Sequence, residues 1–177
     1  ILDYGCGPGH DILNIALNSK FKKIYACDIS HKIIKIAQSR CRLHKIKTSF
    51  HLLEKDKKIP FNNNYFDIIN CNGVLQHIEN DEKTLTQFKK ILKKNGAIQI
   101  MIYNKNSIWF HLHAGFELPN KFLYFKYKEQ KDIFRMSTDG FSCPISRCYT
   151  FDNFTKILDK CGLYVERYLC DITQFEI

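Results

Sequence analysis

Short apolar runs alternate with segments whose apolar side chains recur every three or four positions, starting at the first residue. Ile1–Tyr4 reads as a strand, followed by a glycine-rich loop and a helix over about Asp11–Ser19. Lys23–Ile29 is a second strand. Ser30 is placed to cap the next helix, in which Ile33, Ile34, Ala37 and Cys41 fall on one face. Ser49–Leu53 is a weaker third strand. Phe66–Asn72, "FDIINCN", is nearly continuous in apolar residues, as a strand buried on both faces must be. Asn80 or Asp81 can cap a helix whose Leu85, Phe88, Ile91 and Leu92 face a core, with Asn95-Gly96 ending it. Ala97–Tyr103 reads as a fifth strand. This βαβα alternation predicts a doubly wound α/β fold with a mostly parallel sheet.

Beyond Tyr103 the period loosens. Residues 105–149 are rich in aromatics, His and Pro and read as an insertion, either an apolar lid or a satellite hydrophobic cluster. Regularity then returns: Thr150 can cap a helix running to Cys161, Gly162 ends it, and Leu163–Leu169 alternates as a sixth strand would. The pattern is that of one domain over residues 1–177. It begins inside a strand and stops just after the sixth, so the expectation is a fragment of a longer chain.

Composition narrows the picture only a little. The 177 residues, 45% hydrophobic and 25% charged, suit one globular domain with a real core. The formal net charge of +9 raises an anionic partner, but the lysines are spread along the chain and read as solvated helix faces. Eight cysteines include no C-x-x-C pair, and no neighbouring cysteines complete a zinc quartet. They read as reduced thiols in a cytoplasmic protein, with no metal expected. No apolar run reaches the roughly 18 residues needed to span a bilayer.

The chemistry starts at "ILDYGCGPGHD". Glycines ahead of a helix N-terminus let a ligand approach unpaired N–H groups and the partial positive charge there. A dinucleotide fingerprint needs a third glycine at position 10 counted from Gly5, and His10 stands there. No G-K-[ST] follows, which excludes a P-loop.

"ILDYGCGPGHDILNIAL" resembles the first motif of class I S-adenosylmethionine (SAM)-dependent methyltransferases, in particular the type 11 and ubiquinone-biosynthesis-like group: an apolar run, then acid-x-G-x-G-x-G. The resemblance implies a Rossmann-like fold, here lacking the final strand and N-terminal helices. It implies SAM as cofactor, with Gly5, Cys6, Gly7 and Gly9 lying against its methionine part and Asp3 helping to hold its amino group. "YACDIS" ends the second strand, and Asp28 follows Gly9 by 19 positions. The resemblance gives Asp28 the ribose hydroxyls and Ile29 the side of the adenine. "KKIPFNNNYFDIINCNGVLQHI" is similar to the stretch these enzymes carry through strand four. Their acid before the proline has no exact counterpart here, since Lys55 occupies its place; Asp56 is the candidate for the adenine amino group. Asn72 and Gly73 should line the cleft beyond the strand ends.

Methyl transfer from a sulfonium is an in-line displacement, so alignment and a dry cleft are the protein's main contribution. A base is needed only if the acceptor must lose a proton. His77, in "LQHI", is the best-placed base, and Tyr103 the second candidate catalytic side chain. Arg147 and Tyr149 could meet a polar substrate. Three readings follow: methylation of a small molecule on O, N or C; methylation of nucleic acid; and a SAM-binding module without catalysis. The second is disfavoured, because "NCNG" replaces the D/N-P-P-Y that holds a flipped base, and no Pro-Cys nucleophile is present.

Overall fold

The computed structural model describes residues 1–54 and 57–170. The chain forms two compact units, one of residues 1–75 and 83–101 and one of residues 76–82 and 102–177.

The first unit is built on a parallel sheet. Its strands are β1 (Leu2–Tyr4), β2 (Ile24–Asp28), β3 (Thr48–Leu52), β4 (Phe66–Asn72) and β5 (Leu92–Met101). Their order is β3-β2-β1-β4-β5. Helices α1 (His10–Asn18) and α2 (His31–Leu43) supply the crossovers after β1 and β2, and α3 (Asp81–Ile91) leads into β5. The doubly wound parallel architecture expected from the alternation is therefore present. Ser30 caps α2 as expected, its Oγ accepting from the Ile33 N–H at 3.4 Å.

Strand alternation sorts the side chains. Ile24 and Ala26 of β2 and Ile68 of β4 meet Ile12 of α1 and Ala37 and Cys41 of α2 in one hydrophobic cluster. By the period of two, Asn70 and Asn72 share that face with Ile68. Tyr4 meets the buried Phe88 of α3 edge to face at 4.8 Å.

Two features depart from the expected pattern. Helix α3 ends at Ile91, and the residues expected to continue it open β5 instead. Leu92 pairs with Phe66 and Ala97 with Ile68, so Lys93, Lys94, Asn95 and Gly96 face only Asp67 across the ladder. The four bulge outward because three of them are polar and exposed, while Leu92 and Ala97 are anchored by β4. Second, residues 163–170 form no strand. Their alternation is real, but Tyr164, Tyr168 and Leu169 are exposed, and a strand forms only where a neighbour supplies the hydrogen-bond ladder.

The second unit contains β6 (Tyr103–Asn104), a π-helical stretch Trp109–Glu117, α4 (Leu118–Lys121), α5 (Gln130–Asp139), β7 (Cys148–Tyr149) and α6 (Phe151–Lys160). Tyr103, expected at the end of the fifth strand, opens β6, which pairs with β7. The aromatic segment makes its own core: Phe110, Ala114 and Leu118 close on Ile133 and Phe134 of α5. That is the satellite cluster rather than a loose lid. Thr150 caps α6 through the Asn153 N–H at 3.2 Å. No helix among the described residues is long and apolar enough to cross a membrane.

The β1–α1 loop depends on close packing. Gly5 has φ +73°, and a Cβ there would overlap the Val74 side chain, with Val74 Cγ1 only 2.8 Å away. Gly9, at φ +86°, lies against Ala37 of α2, whose Cβ would be 3.2 Å away. Left-handed backbone strains an L-residue by ~1–2 kcal/mol before any clash is added. Gly5→Ala is expected to lower stability by ~2 kcal/mol or more in urea denaturation, and Val74→Ala should recover part of that loss in the double variant.

Candidate functional site

The carboxyl ends of β1, β2 and β4 carry the residues that the glycine loop pointed to. Gly5 and Cys6 both donate their N–H to the Cys27 carbonyl, at 2.8 and 3.0 Å, which ties the loop to the end of β2. Gly7, with φ +51°, then donates to Asp28 Oδ2 at 3.0 Å, while Ser30 N–H donates to Oδ1 at 2.9 Å. A carboxylate offers about four lone-pair sites. Asp28 thus keeps acceptor capacity on both oxygens after fixing the loop. Space for a Cβ at Gly7 is open, whereas Gly5 and Gly9 are packed.

Asp3 is the most constrained residue here, with 1% of its surface exposed. It pairs with Asn70 across β1 and β4. Asn70 Nδ2 donates to Asp3 Oδ1 at 2.8 Å and to Asp11 Oδ2 at 3.1 Å. Asn72 Nδ2 donates to the same Asp11 oxygen at 2.9 Å. Asp11 lies in the first turn of α1. Two buried acceptors, Asp3 Oδ2 and Asn72 Oδ1, have no hydrogen-bond partner among the described residues. Burial pushes the Asp3 carboxyl up to about 6; Asp11 and Asp28 add to the rise, and the Asn70 hydrogen bond opposes it.

Acceptors of this kind want a donor bearing positive charge. An orphaned buried acceptor costs ~1–3 kcal/mol, and an ammonium would satisfy both oxygens while drawing the proton from Asp3. The loop and this cluster therefore fit an amino acid moiety, and Asp28 fits a vicinal diol. Ile29, 75% exposed just past β2, and Leu52, 48% exposed at the end of β3, leave apolar surface at the strand ends for a flat ring to cover. These groups fit SAM.

A family model described as a methyltransferase domain matches residues 1–160. The chain belongs to that family. Its members are class I methyltransferases, which take SAM as methyl donor. An uncharacterized protein of Methanocaldococcus jannaschii is 34% identical over 108 residues, covering 61% of this chain and 42% of that protein. The ubiquinone/menaquinone biosynthesis C-methyltransferase UbiE of Cupriavidus taiwanensis is 25% identical over 130 residues, covering 67% of this chain and 52% of that one. The chain thus spans about half the length of these curated relatives. The solved structure of the YcgJ protein of Bacillus subtilis superposes with a TM-score of 0.63 at 17% identity, over 90% of this chain and 59% of that chain, a likeness of fold.

The other expected site residues divide. Cys6 joins the hydrophobic cluster, where burial pushes its thiol up to about 12, and the thiol donates to the Gly7 carbonyl at 3.6 Å. Gly73, at φ +67°, donates its N–H to the Met101 carbonyl at 3.1 Å, fixing the turn after β4. Asp56 lies outside the described residues.

His77 and Tyr103 both belong to the second unit. His77 ends a short 3₁₀ turn, Leu75–His77. Its Nδ1 lies 2.8 Å from the Ile145 carbonyl, and its ring stands edge to face against Tyr103 at 6.0 Å. Tyr103 Oη donates to Asp139 Oδ1 at 2.8 Å. Burial, then that carboxylate, push the Tyr103 phenol well above its ordinary value. Arg147 and Tyr149 are occupied structurally: both donate to Asp81 Oδ2, at 3.2 and 2.9 Å.

Asp11 and Asn70 escaped the sequence reading. Asn70 is a polar residue set between the apolar Ile69 and Cys71, the one available signal; Asp11 reads as an ordinary acid in a first helical turn.

Because Asp3 binds its proton more tightly folded than at its ordinary value of 3.8, the native state holds the extra proton between pH 3.8 and about 6. Stability therefore falls as pH rises through that window, by about 3 kcal/mol, and the cost is fully present above pH 6. Asp3→Asn is expected to stabilise the ligand-free protein at pH 8 by up to that amount, with the gain vanishing near pH 4. Urea midpoints across pH check this.

Proposed function

We propose that the chain is a SAM-dependent methyltransferase acting on a small-molecule acceptor. The observation that carries the reading is the buried acceptor cluster, in which Asp3 Oδ2 and Asn72 Oδ1 are left without donors beside a glycine loop. Asp3 and Asn72 would hold the amino group, and the backbone of Gly5, Cys6, Gly7 and Gly9 the rest of the amino acid end. Asp28 would take the ribose hydroxyls and Ile29 the adenine face, with Asp56 reaching its amino group. Gly73 would border the cleft. When bound, SAM supplies a methyl group already activated on a positively charged sulfur.

The protein's residues then align and exclude water, and alignment alone is worth ~7–11 kcal/mol. Where the acceptor must lose a proton, His77 is the proposed base: the Ile145 carbonyl accepts from Nδ1, which leaves Nε2 as the basic nitrogen. Tyr103, whose hydroxyl proton goes to Asp139 Oδ1, is the second proposed catalytic side chain, with its oxygen lone pairs left to accept from the substrate. The Cupriavidus relative is a ubiquinone/menaquinone biosynthesis C-methyltransferase, which makes small cyclic carbon acids the first acceptors to try. The spread of lysines and "NCNG" after strand four weigh against nucleic acid. Eight free thiols are in keeping with a cytoplasmic location.

Calorimetry with S-adenosylhomocysteine tests the binding half. Removing one charge-assisted acceptor pair should raise Kd roughly 10- to 100-fold in Asp28→Ala. Affinity in the wild type should fall as pH drops below about 6, where Asp3 takes up its proton. Transfer of labelled methyl groups to a panel of metabolites and RNA tests the acceptor, with label on RNA alone contradicting the small-molecule reading.

A further inference from the structure

We propose that His77, Asp139 and Cys143 form a site for a borderline divalent cation, Zn²⁺ by the chemistry of its donors, with one coordination position open to an exogenous ligand. One ring nitrogen of His77, one carboxylate oxygen of Asp139 and the Cys143 sulfur all lie within 4.8 Å of one another. A tetrahedral ion with bonds of roughly 2.0–2.3 Å keeps its ligand atoms about 3.3–3.8 Å apart. The trio thus needs to close by at most about 1.5 Å around an ion of that size.

The decisive spacing is between His77 Nε2 and Asp139 Oδ1, 3.7 Å. That is too long for a hydrogen bond. It suits two ligands separated by a metal. The imidazole is also set for the task. A carbonyl can only accept, so the 2.8 Å contact to Ile145 O puts the proton on Nδ1 and leaves the Nε2 lone pair free. Ligand histidines are oriented in this way by a carbonyl or carboxylate on the other nitrogen. Asp139 is steadied by Tyr103 Oη on Oδ1 at 2.8 Å and Ser146 Oγ on Oδ2 at 2.6 Å. Arg135 Nη1 holds the Cys143 carbonyl at 2.5 Å.

The donors come from three places in one unit: the 3₁₀ turn, the last residue of α5, and the turn closed by Cys143 N–H to Gly140 O at 3.2 Å. The Cys143 sulfur lies 3.7 Å from His77 Nδ1 and, as a thiol, donates to Ile145 O at 3.2 Å. On binding, that thiol proton leaves to solvent, the sulfur–metal bond forms, and a thiolate, a carboxylate and a neutral imidazole balance the charge of the ion. Thiolate with imidazole favours Zn²⁺ over Mg²⁺ or Ca²⁺. Among the described residues no fourth His, Cys, Asp or Glu joins the group, so water or a small-molecule thiol or carboxylate would complete it. A bound ion takes the nitrogen that the proposed base uses, so proton transfer at His77 belongs to the metal-free protein.

The test needs neither SAM nor turnover, so its outcome is separable from the methyl-transfer reading. Metal-stripped full chain titrated with Co²⁺ should show one equivalent bound, with a sulfur-to-cobalt charge-transfer band. Zn²⁺ should displace it. Cys143→Ala should abolish the band and weaken Zn²⁺ at least ~10-fold, and Asp139→Asn should weaken it comparably, while Cys161→Ser and Cys170→Ser leave it intact. An unchanged band in Cys143→Ala, or no binding by the wild type, overturns the proposal and leaves an ordinary His–Asp contact. Should a variant fail to fold, alkylation of the wild type decides. Zn²⁺ should protect Cys143 from iodoacetamide in peptide mass spectra, and equal labelling with and without the ion refutes the site.

Discussion

Asp3 is a carboxylate held out of water in the first strand with only one of its two oxygens hydrogen-bonded. Folding tolerates it because Asn70, its neighbour in register on β4, donates to one oxygen. The rest of the first unit is arranged around keeping that oxygen pair in place. Gly5 and Gly9 let the chain turn sharply enough for α1 to begin at once, which brings Asp11 back over Asn70 and Asn72. Cys27 and Asp28 fasten the same turn to the end of β2. A stable protein with no ligand to bind would place an apolar residue at position 3. The cost borne there is the kind concentrated at sites that await a charged partner.

The same loop shows how one fold discriminates between cofactors. Gly5 and Gly9 are packed from behind, by Val74 and by Ala37, while Gly7 faces open space. The first two glycines are thus requirements of the architecture, and the middle one is where a ligand can approach the backbone. A dinucleotide fingerprint also needs a glycine at position 10 for close packing of helix on strand, and His10 stands there, exposed. An amino acid moiety with an ammonium matches the buried acceptors, and the open space at Gly7 lets it lie against the loop.

Much of this was legible in the sequence, and the reasons are local. β1, β2 and β4 are short apolar runs with turn residues at their ends, and Ser30 and Thr150 announce helices by capping them. Asp28 was found because its distance from the glycines is fixed by one crossover helix. Asn70 and Asp11 were not found, since their roles depend on cross-strand register and on a tight loop, neither of which a linear pattern encodes. Residues 163–170 were overread for the opposite reason: alternation marks a segment able to pair, and pairing needs a partner. The aromatic stretch after Tyr103 hid a π-helix and α5, because π-helical spacing departs from the 3.6-residue period by which helices are recognised. His77, Asp139 and Cys143 lie too far apart in the chain for any spacing rule to group them.

The most direct measurement is the titration of the Asp3 carboxyl carbon by NMR, in the ligand-free protein and with S-adenosylhomocysteine bound. A midpoint near 6 is expected in the free protein, with a clear fall when an ammonium occupies the cluster. A free-state midpoint at or below 3.8, or one near 6 that the ligand leaves unmoved, would contradict the account.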